Sequence, residues 1–150
     1  MDAATAMRDS PLFKGFTETG LNIIAGICAQ RSYPLGTPLF VENMVADSLL
    51  LIAEGTVALG TKGARGEDIH LGELGVGDWL GELSLINVGQ RLCTATAATA
   101  VVAYENRQSD FQKLIALKPQ ACIKLLMSIV SAFGQKVVDN KDALRSLLTK

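Results

Sequence analysis

The chain reads as an α+β protein: an antiparallel β domain with helices packed at its two ends. Three observations predict this. Ten of the 14 glycines lie between Gly36 and Gly89, and only Gly134 falls in the last 60 of the 150 residues, so turns crowd the middle. That middle holds several short apolar runs at close spacing, which suits a barrel or sandwich of roughly eight strands. Apolar residues recur with helical period at both ends. Strands and helices come in separate blocks, so a parallel β/α alternation is not expected.

The elements follow in order. Ser10 is a suitable N-cap with Pro11 behind it, and Thr17-x-x-Gly20 leads into a helix with Leu21, Ile24 and Cys28 on one face. "RSYPLGTPLF" reads as short strands broken by Pro34, Gly36 and Pro38. "DSLLLIA", Asp47 to Ala53, is apolar throughout and suits a strand buried on both faces. "TVALG" continues after a Glu54-Gly55 turn. "IHLGEL" places Ile69, Leu71 and Glu73 on one face. Trp79-Leu80 leads into a short helix, "ELSLI", and Thr94 to Tyr104 is β-rich in two pieces. The barrel therefore spans about residues 31–106.

Two helices are expected over about 108–149. Ser109-Asp110 can cap the first, and Pro119 ends it and opens the next. From Ile123 a heptad is legible, with a positions at Ile123, Val130, Val137 and Leu144 and d positions at Leu126, Phe133, Asn140 and Leu147. Asn140 would be the single polar residue of the seam. The seam could pack on the chain's own barrel, at least over its first half; but one helix of about 30 residues would run ~45 Å at 1.5 Å per residue, more than a small domain covers, so a dimer or partner contact on this helix is the favoured expectation.

Composition excludes several functions. With 49% apolar and 19% charged residues the chain is globular, and 150 residues suffice for one domain, taken as 1–150. The net charge is −1 and no run of basic residues appears, which argues against a nucleic-acid surface. Cys28, Cys93 and Cys122 are widely spaced and His70 is the only histidine, so neither a zinc site nor a His-based triad is expected. No N-terminal signal core appears, and no apolar stretch is read as approaching membrane-spanning length; a soluble cytoplasmic protein is expected. There is no P-loop or GxGxxG, and the carboxylates Glu73, Asp78 and Glu82 face no evident nucleophile, so no enzymatic activity is expected.

Chemistry concentrates in "GELSLINVGQRLCT", Gly81 to Thr94. Gly81 permits close backbone approach, and the first turn of a following helix favours an anion. Glu82 offers two acceptors suited to sugar hydroxyls. Arg91 offers a permanently charged planar fork suited to phosphate. Together they could grip the two ends of a nucleotide, or they could simply pair with each other.

The string resembles the phosphate-binding cassette of the cyclic nucleotide-binding domain, found in bacterial cyclic-AMP receptor proteins, kinase regulatory subunits and some ion channels. That cassette runs G-E-(L/M)-(A/G/S)-L, a variable loop, then R-(A/S/T)-A-(T/S). The Glu82-to-Arg91 spacing matches the kinase type. "SPLFKGF", "ADSLLLIAEGTVAL", "LGELGVGDWLGE" and "SDFQKLIALKPQACIKLLMSIV" extend the resemblance over nearly the whole chain. It implies an eight-stranded β jelly-roll barrel with N-terminal helices, a short cassette helix and two C-terminal helices.

It also implies a ligand, a cyclic nucleotide, with no metal. Glu82 would hold the ribose and Arg91 the cyclic phosphate. Backbone N–H groups near Gly81, Leu83 and Leu92 would complete the cradle, and Cys93 would stand beside it. The base would lie against strand residues, with Leu71 a candidate, beneath the last helix. Leu92 stands where Ala, Ser or Thr is usual. It lacks the hydroxyl that helps guanine recognition, so cyclic AMP is expected over cyclic GMP, although its bulk could crowd the pocket. Cys93 replaces a small residue and is read as a buried thiol without a redox role. Asn43 stands where a turn glycine is common and can adopt the left-handed conformation. The helix-turn-helix of the transcription factors has no counterpart, so the implied protein is a stand-alone sensor signalling through Ile123 to Leu148. The alternative is an interaction scaffold of the same fold with weak or lost nucleotide binding.

Overall fold

A computed structural model describes residues 2–85 and 87–148, without the side chains of Glu82, Leu83, Leu147 and Leu148. Helix α1 (Ala3–Arg8) and a 3-10 turn (Pro11–Phe13) precede α2 (Glu18–Ala25). Ten strands follow: β1 (Cys28–Tyr33), β2 (Pro38–Phe40), β3 (Val45–Ala46), β4 (Ser48–Glu54), β5 (Val57–Lys62), β6 (Asp68–Leu74), β7 (Trp79–Leu80), β8 (Gly89–Gln90), β9 (Thr94–Ala97) and β10 (Val101–Arg107). A second 3-10 turn (Glu82–Leu85) lies between β7 and β8. Helices α3 (Gln108–Leu117), α4 (Pro119–Asp139) and α5 (Lys141–Leu148) end the chain.

Eight strands form two antiparallel four-stranded sheets, ordered β1-β10-β4-β7 and β2-β9-β5-β6, while β3 and β8 pair separately. This is the expected α+β jelly roll, but its barrel is not closed. The two sheets meet through side chains and do not share a continuous ladder.

β4 explains why the layers hold together. Its residues alternate between two cores, because successive strand side chains point to opposite faces. Leu49, Leu51 and Ala53 join the helices, packing with Met7, Leu12, Phe13, Ile24, Phe111, Leu125 and Ile129. Leu50 and Ile52 point into the barrel with Val57, Leu80, Ala95, Ala97 and Val101. Both faces of "SLLLIA" are therefore buried, as its unbroken apolar run predicts. Each such Leu or Ile contributes roughly 1.5–3 kcal/mol of burial.

The N-terminal caps fall where the residue types place them. Ser10 Oγ accepts from the Leu12 N–H at 3.4 Å, and Thr17 Oγ1 accepts from the Gly20 N–H at 3.0 Å. Leu21 and Ile24 are buried on α2, but the helix ends at Ala25, and Cys28 opens β1. Helix α1, capped by the Asp2 side chain, has no counterpart in the sequence reading. Helix α3 begins at Gln108, ahead of the expected Ser109-Asp110 cap, because the Gln108 N–H already donates to the Asp47 carbonyl at 2.8 Å.

The C-terminal segment differs most from expectation. Two helices follow α3 where one was expected, so the segment holds three described helices and not two. α4 has 21 residues, about 32 Å at 1.5 Å per residue, and stops at Asn140. The Asn140 Nδ2 donates to the Lys136 carbonyl at 2.7 Å, which also accepts from the Asn140 backbone N–H at 3.1 Å, so backbone and side chain together close the last turn. Asn140 is therefore a cap and not a seam residue of a continuous coil.

α4 is also long and apolar enough to cross a membrane by length and composition, with a mean hydropathy of 1.5, contrary to the reading that no stretch approaches that length. The excess arises because the helix has two apolar faces. Cys122, Leu125 and Ile129 are buried, while Ile123, Met127 and Val130 are exposed.

Phe111 is fully buried between α3 and the helical core. Phe111→Ala should lower unfolding free energy by about 3–5 kcal/mol in urea titration. Met127→Ala, on the exposed face of α4, should change it by no more than about 0.5 kcal/mol.

Candidate ligand site

Arg91 is placed by backbone bonding. Its N–H donates to the Met44 carbonyl at 2.8 Å, and its own carbonyl accepts from the Asn43 N–H at 2.8 Å. The β3–β8 pair, Val45 with Gln90 and Ala46 with Gly89, extends this contact. Asn43 makes the required turn at φ 72°, the left-handed conformation its side chain tolerates.

The side chain then runs inward, leaving the residue only 6% exposed. Nη1 donates to the Ser48 carbonyl and Nη2 to Ser48 Oγ, each at 3.1 Å. The guanidinium carbon lies 4.3 Å from the centre of the Phe40 ring. Nε–H is buried and has no hydrogen-bond partner among the described residues. Among the described side chains no carboxylate forms an ion pair with it. Burial pushes its pKa below the usual guanidinium value, although Asp47 and Glu105 nearby oppose the shift. An arginine stays charged even so, and a buried cation with an open donor is a site that favours an anion.

Gly81 makes room for this group. Its φ is 77°, and a Cβ there would lie 2.3 Å from Arg91 Nη1 and 2.6 Å from the Ser48 carbonyl oxygen. Only glycine fits both the conformation and the gap. The 3-10 turn that follows is tied back by the Ser84 N–H donating to the Gly81 carbonyl at 2.9 Å.

These residues open onto a cavity of about 340 Å³. Phe40, Ala46, Leu80, Gly81, Ser84 and Arg91 line it on the barrel side, and Gln90, Leu92 and Cys93 stand beside Arg91. Phe133 and Lys136 of α4 complete it from the helical side. Small-molecule pockets have volumes of about 300–1,000 Å³, mostly apolar with a few placed polar groups, and this one fits that description. The Lys136 ammonium also lies 5.8 Å from the Trp79 ring centre.

The structure thus brings together Gly81, Arg91, Leu92 and Cys93 of the expected site. Glu82 and Leu83 lie in the 3-10 turn beside it, but their side chains fall outside the described residues, and so does any Glu82–Arg91 pairing. Leu71 is on β6, 54% exposed, and is not among the residues lining the cavity. Leu92 is 88% exposed, so its bulk is carried mostly into solvent and does not fill the pocket. Cys93 is half-buried, and burial pushes its thiol pKa up.

Sequence reasoning assigned no binding role to Phe133 and Lys136. Their i, i+3 spacing puts them on one helix face, but nothing in the sequence says which way that face looks. A larger concavity, about 540 Å³, lies elsewhere and includes Thr94, Thr96 and His70. Ala95 and Ala97 point into the barrel core, so the alternating threonines put that concavity on the outer face of the second sheet. Among the described residues no group of three or more His, Cys, Asp or Glu could hold a metal ion.

Comparison with known proteins decides the family. The sequence profile of the cyclic nucleotide-binding domain matches residues 30–118. The chain belongs to the cyclic nucleotide-binding domain family. A relative from Thermus thermophilus, the cyclic AMP receptor protein, is 31% identical over 113 residues, covering 75% of this chain and 52% of its own length. The chain thus spans about half the length of that relative.

The crystal structure of the Thermus thermophilus catabolite activator protein superposes with a TM-score of 0.81 at 26% identity, over 92% of this chain and 63% of that one. The N-terminal domain of a transcriptional regulator from Streptomyces coelicolor gives 0.79 at 26% identity, over 87% and 94%.

Gly81→Ala tests the packing of this domain's cassette. The added methyl collides with Arg91 and with backbone, so we expect a loss of about 1–3 kcal/mol in chemical unfolding. A neutral substitution would contradict the described contact.

Proposed function

We propose that this domain senses cyclic AMP, holding the cyclic phosphate on Arg91 and the ribose on Glu82. One observation carries the reading: a guanidinium 6% exposed, with no partner on Nε–H and no carboxylate on it among the described residues, lining a cavity of about 340 Å³. A singly charged cyclic phosphate would supply the missing acceptors. Backbone N–H groups near Gly81, Leu83 and Leu92 would share them. Leu92 brings no hydroxyl for guanine, and the name of the Thermus thermophilus relative points to the same ligand.

The ligand would act on α4, which contributes Phe133 and Lys136 to the cavity wall. Binding shifts an equilibrium only if one position of the helix binds the ligand better than another. The outlet is the exposed apolar stripe of α4: Ile123 at 54%, Met127 at 63%, Val130 at 64% and Val137 at 40% exposure. It lies apart from the buried face and suits a second copy or a partner protein. That stripe also favours the second reading, a scaffold of the same fold that associates without nucleotide.

Isothermal titration separates the two. Cyclic AMP should bind in the micromolar range or tighter, more tightly than cyclic GMP, and Arg91→Ala should weaken it at least about a hundredfold, the scale of a lost charge-assisted contact. A folded protein that binds neither nucleotide would leave only the scaffold.

A further inference from the structure

The cassette arginine is held by a network that reaches across the first sheet. Arg91 Nη2 donates to Ser48 Oγ at 3.1 Å, and Ser48 Oγ donates in turn to Glu105 Oε2 at 3.2 Å, long for an O–H···O bond. Glu105 Oε1 accepts from Arg31 Nη2 at 3.2 Å and from Arg107 Nε at 3.1 Å. Ser48 is 2% exposed, and the Glu105 side chain is 17% exposed. Burial alone would raise the Glu105 pKa, but the hydrogen bonds from Arg107 and Arg31 outweigh it and hold the carboxyl below its ordinary value. The group is therefore an anion at neutral pH.

A serine hydroxyl has a single hydrogen and turns to suit its neighbours. Here the hydrogen is taken by a carboxylate, which leaves the oxygen lone pairs for the guanidinium. With both Nη atoms anchored on one residue, the fork cannot rotate in its own plane, and the guanidinium is held in one orientation at the cavity wall. We propose that Ser48 and Glu105 are positioning residues for ligand binding, orienting the Arg91 guanidinium through the Glu105–Ser48–Arg91 hydrogen-bond chain without touching the ligand. This rests on the nucleotide-binding reading above.

Glu105→Gln breaks the chain while keeping the shape. An amide has one oxygen and cannot accept both from Ser48 and from the two arginines. Ser48→Ala removes the middle link. Titration of cyclic AMP into the wild type, both single variants and the double variant, with a thermal unfolding midpoint for each, tests the proposal.

Each single change should weaken binding about tenfold, the size of one lost hydrogen bond to a charged group. The double variant should be no weaker than the poorer single variant, because both changes cut one path. Multiplying losses in the double variant, or wild-type affinity in Glu105→Gln, would overturn the positioning role while leaving the nucleotide reading intact. A wild type that binds no cyclic nucleotide would overturn both.

Discussion

A buried guanidinium without a charged partner among the described side chains is the constraint around which this domain is arranged. Removing an unpaired cation from water is unfavourable by several kcal/mol, and one hydroxyl, one carbonyl and one aromatic face offset only part of that. The surrounding residues serve the placement. Gly81 gives up a side chain to leave room, Asn43 takes a left-handed turn to deliver the strand, and Ser48 turns its carbonyl and hydroxyl oxygens towards the arginine. Under the proposed reading, an arriving anion would complete this arrangement.

The same strand that supports the arginine joins the two cores. Ser48 begins β4, and the next five residues alternate between the helical layer and the barrel. The site is thereby fixed to the most deeply buried part of the molecule. α4 is held differently. Its first half is anchored in the helical core by Cys122, Leu125 and Ile129, while its second half reaches the site with half-exposed Phe133. A rigid receptor wall facing a less deeply held helix is the geometry in which occupancy can alter helix position.

Much of this was legible in the residues. "SLLLIA" could be read as a strand buried on both faces because an unbroken apolar run leaves no polar face. Pro119 could be read as a helix boundary because its ring fixes φ and removes a donor. The cassette placed Gly81 and Arg91 together, as found. What failed was non-local. The heptad suggested one helix through Asn140, since periodicity records faces and not the side-chain bond to Lys136 that ends the helix. Leu71 satisfied strand alternation, yet β6 is an edge strand with a register shift opposite it at Leu59/Gly60, and its side chains are largely exposed. Glu105, Ser48 and Lys136 carry no local signal, because their roles depend on which strands and helices become neighbours.

The most direct test follows the Arg91 guanidinium itself by nuclear magnetic resonance. The Arg91 Nε–H resonance and the ³¹P resonance of cyclic AMP can be observed in one titration. The account predicts that both shift together to saturation. A ³¹P signal and an Arg91 signal that stay where they were at saturating nucleotide would contradict it.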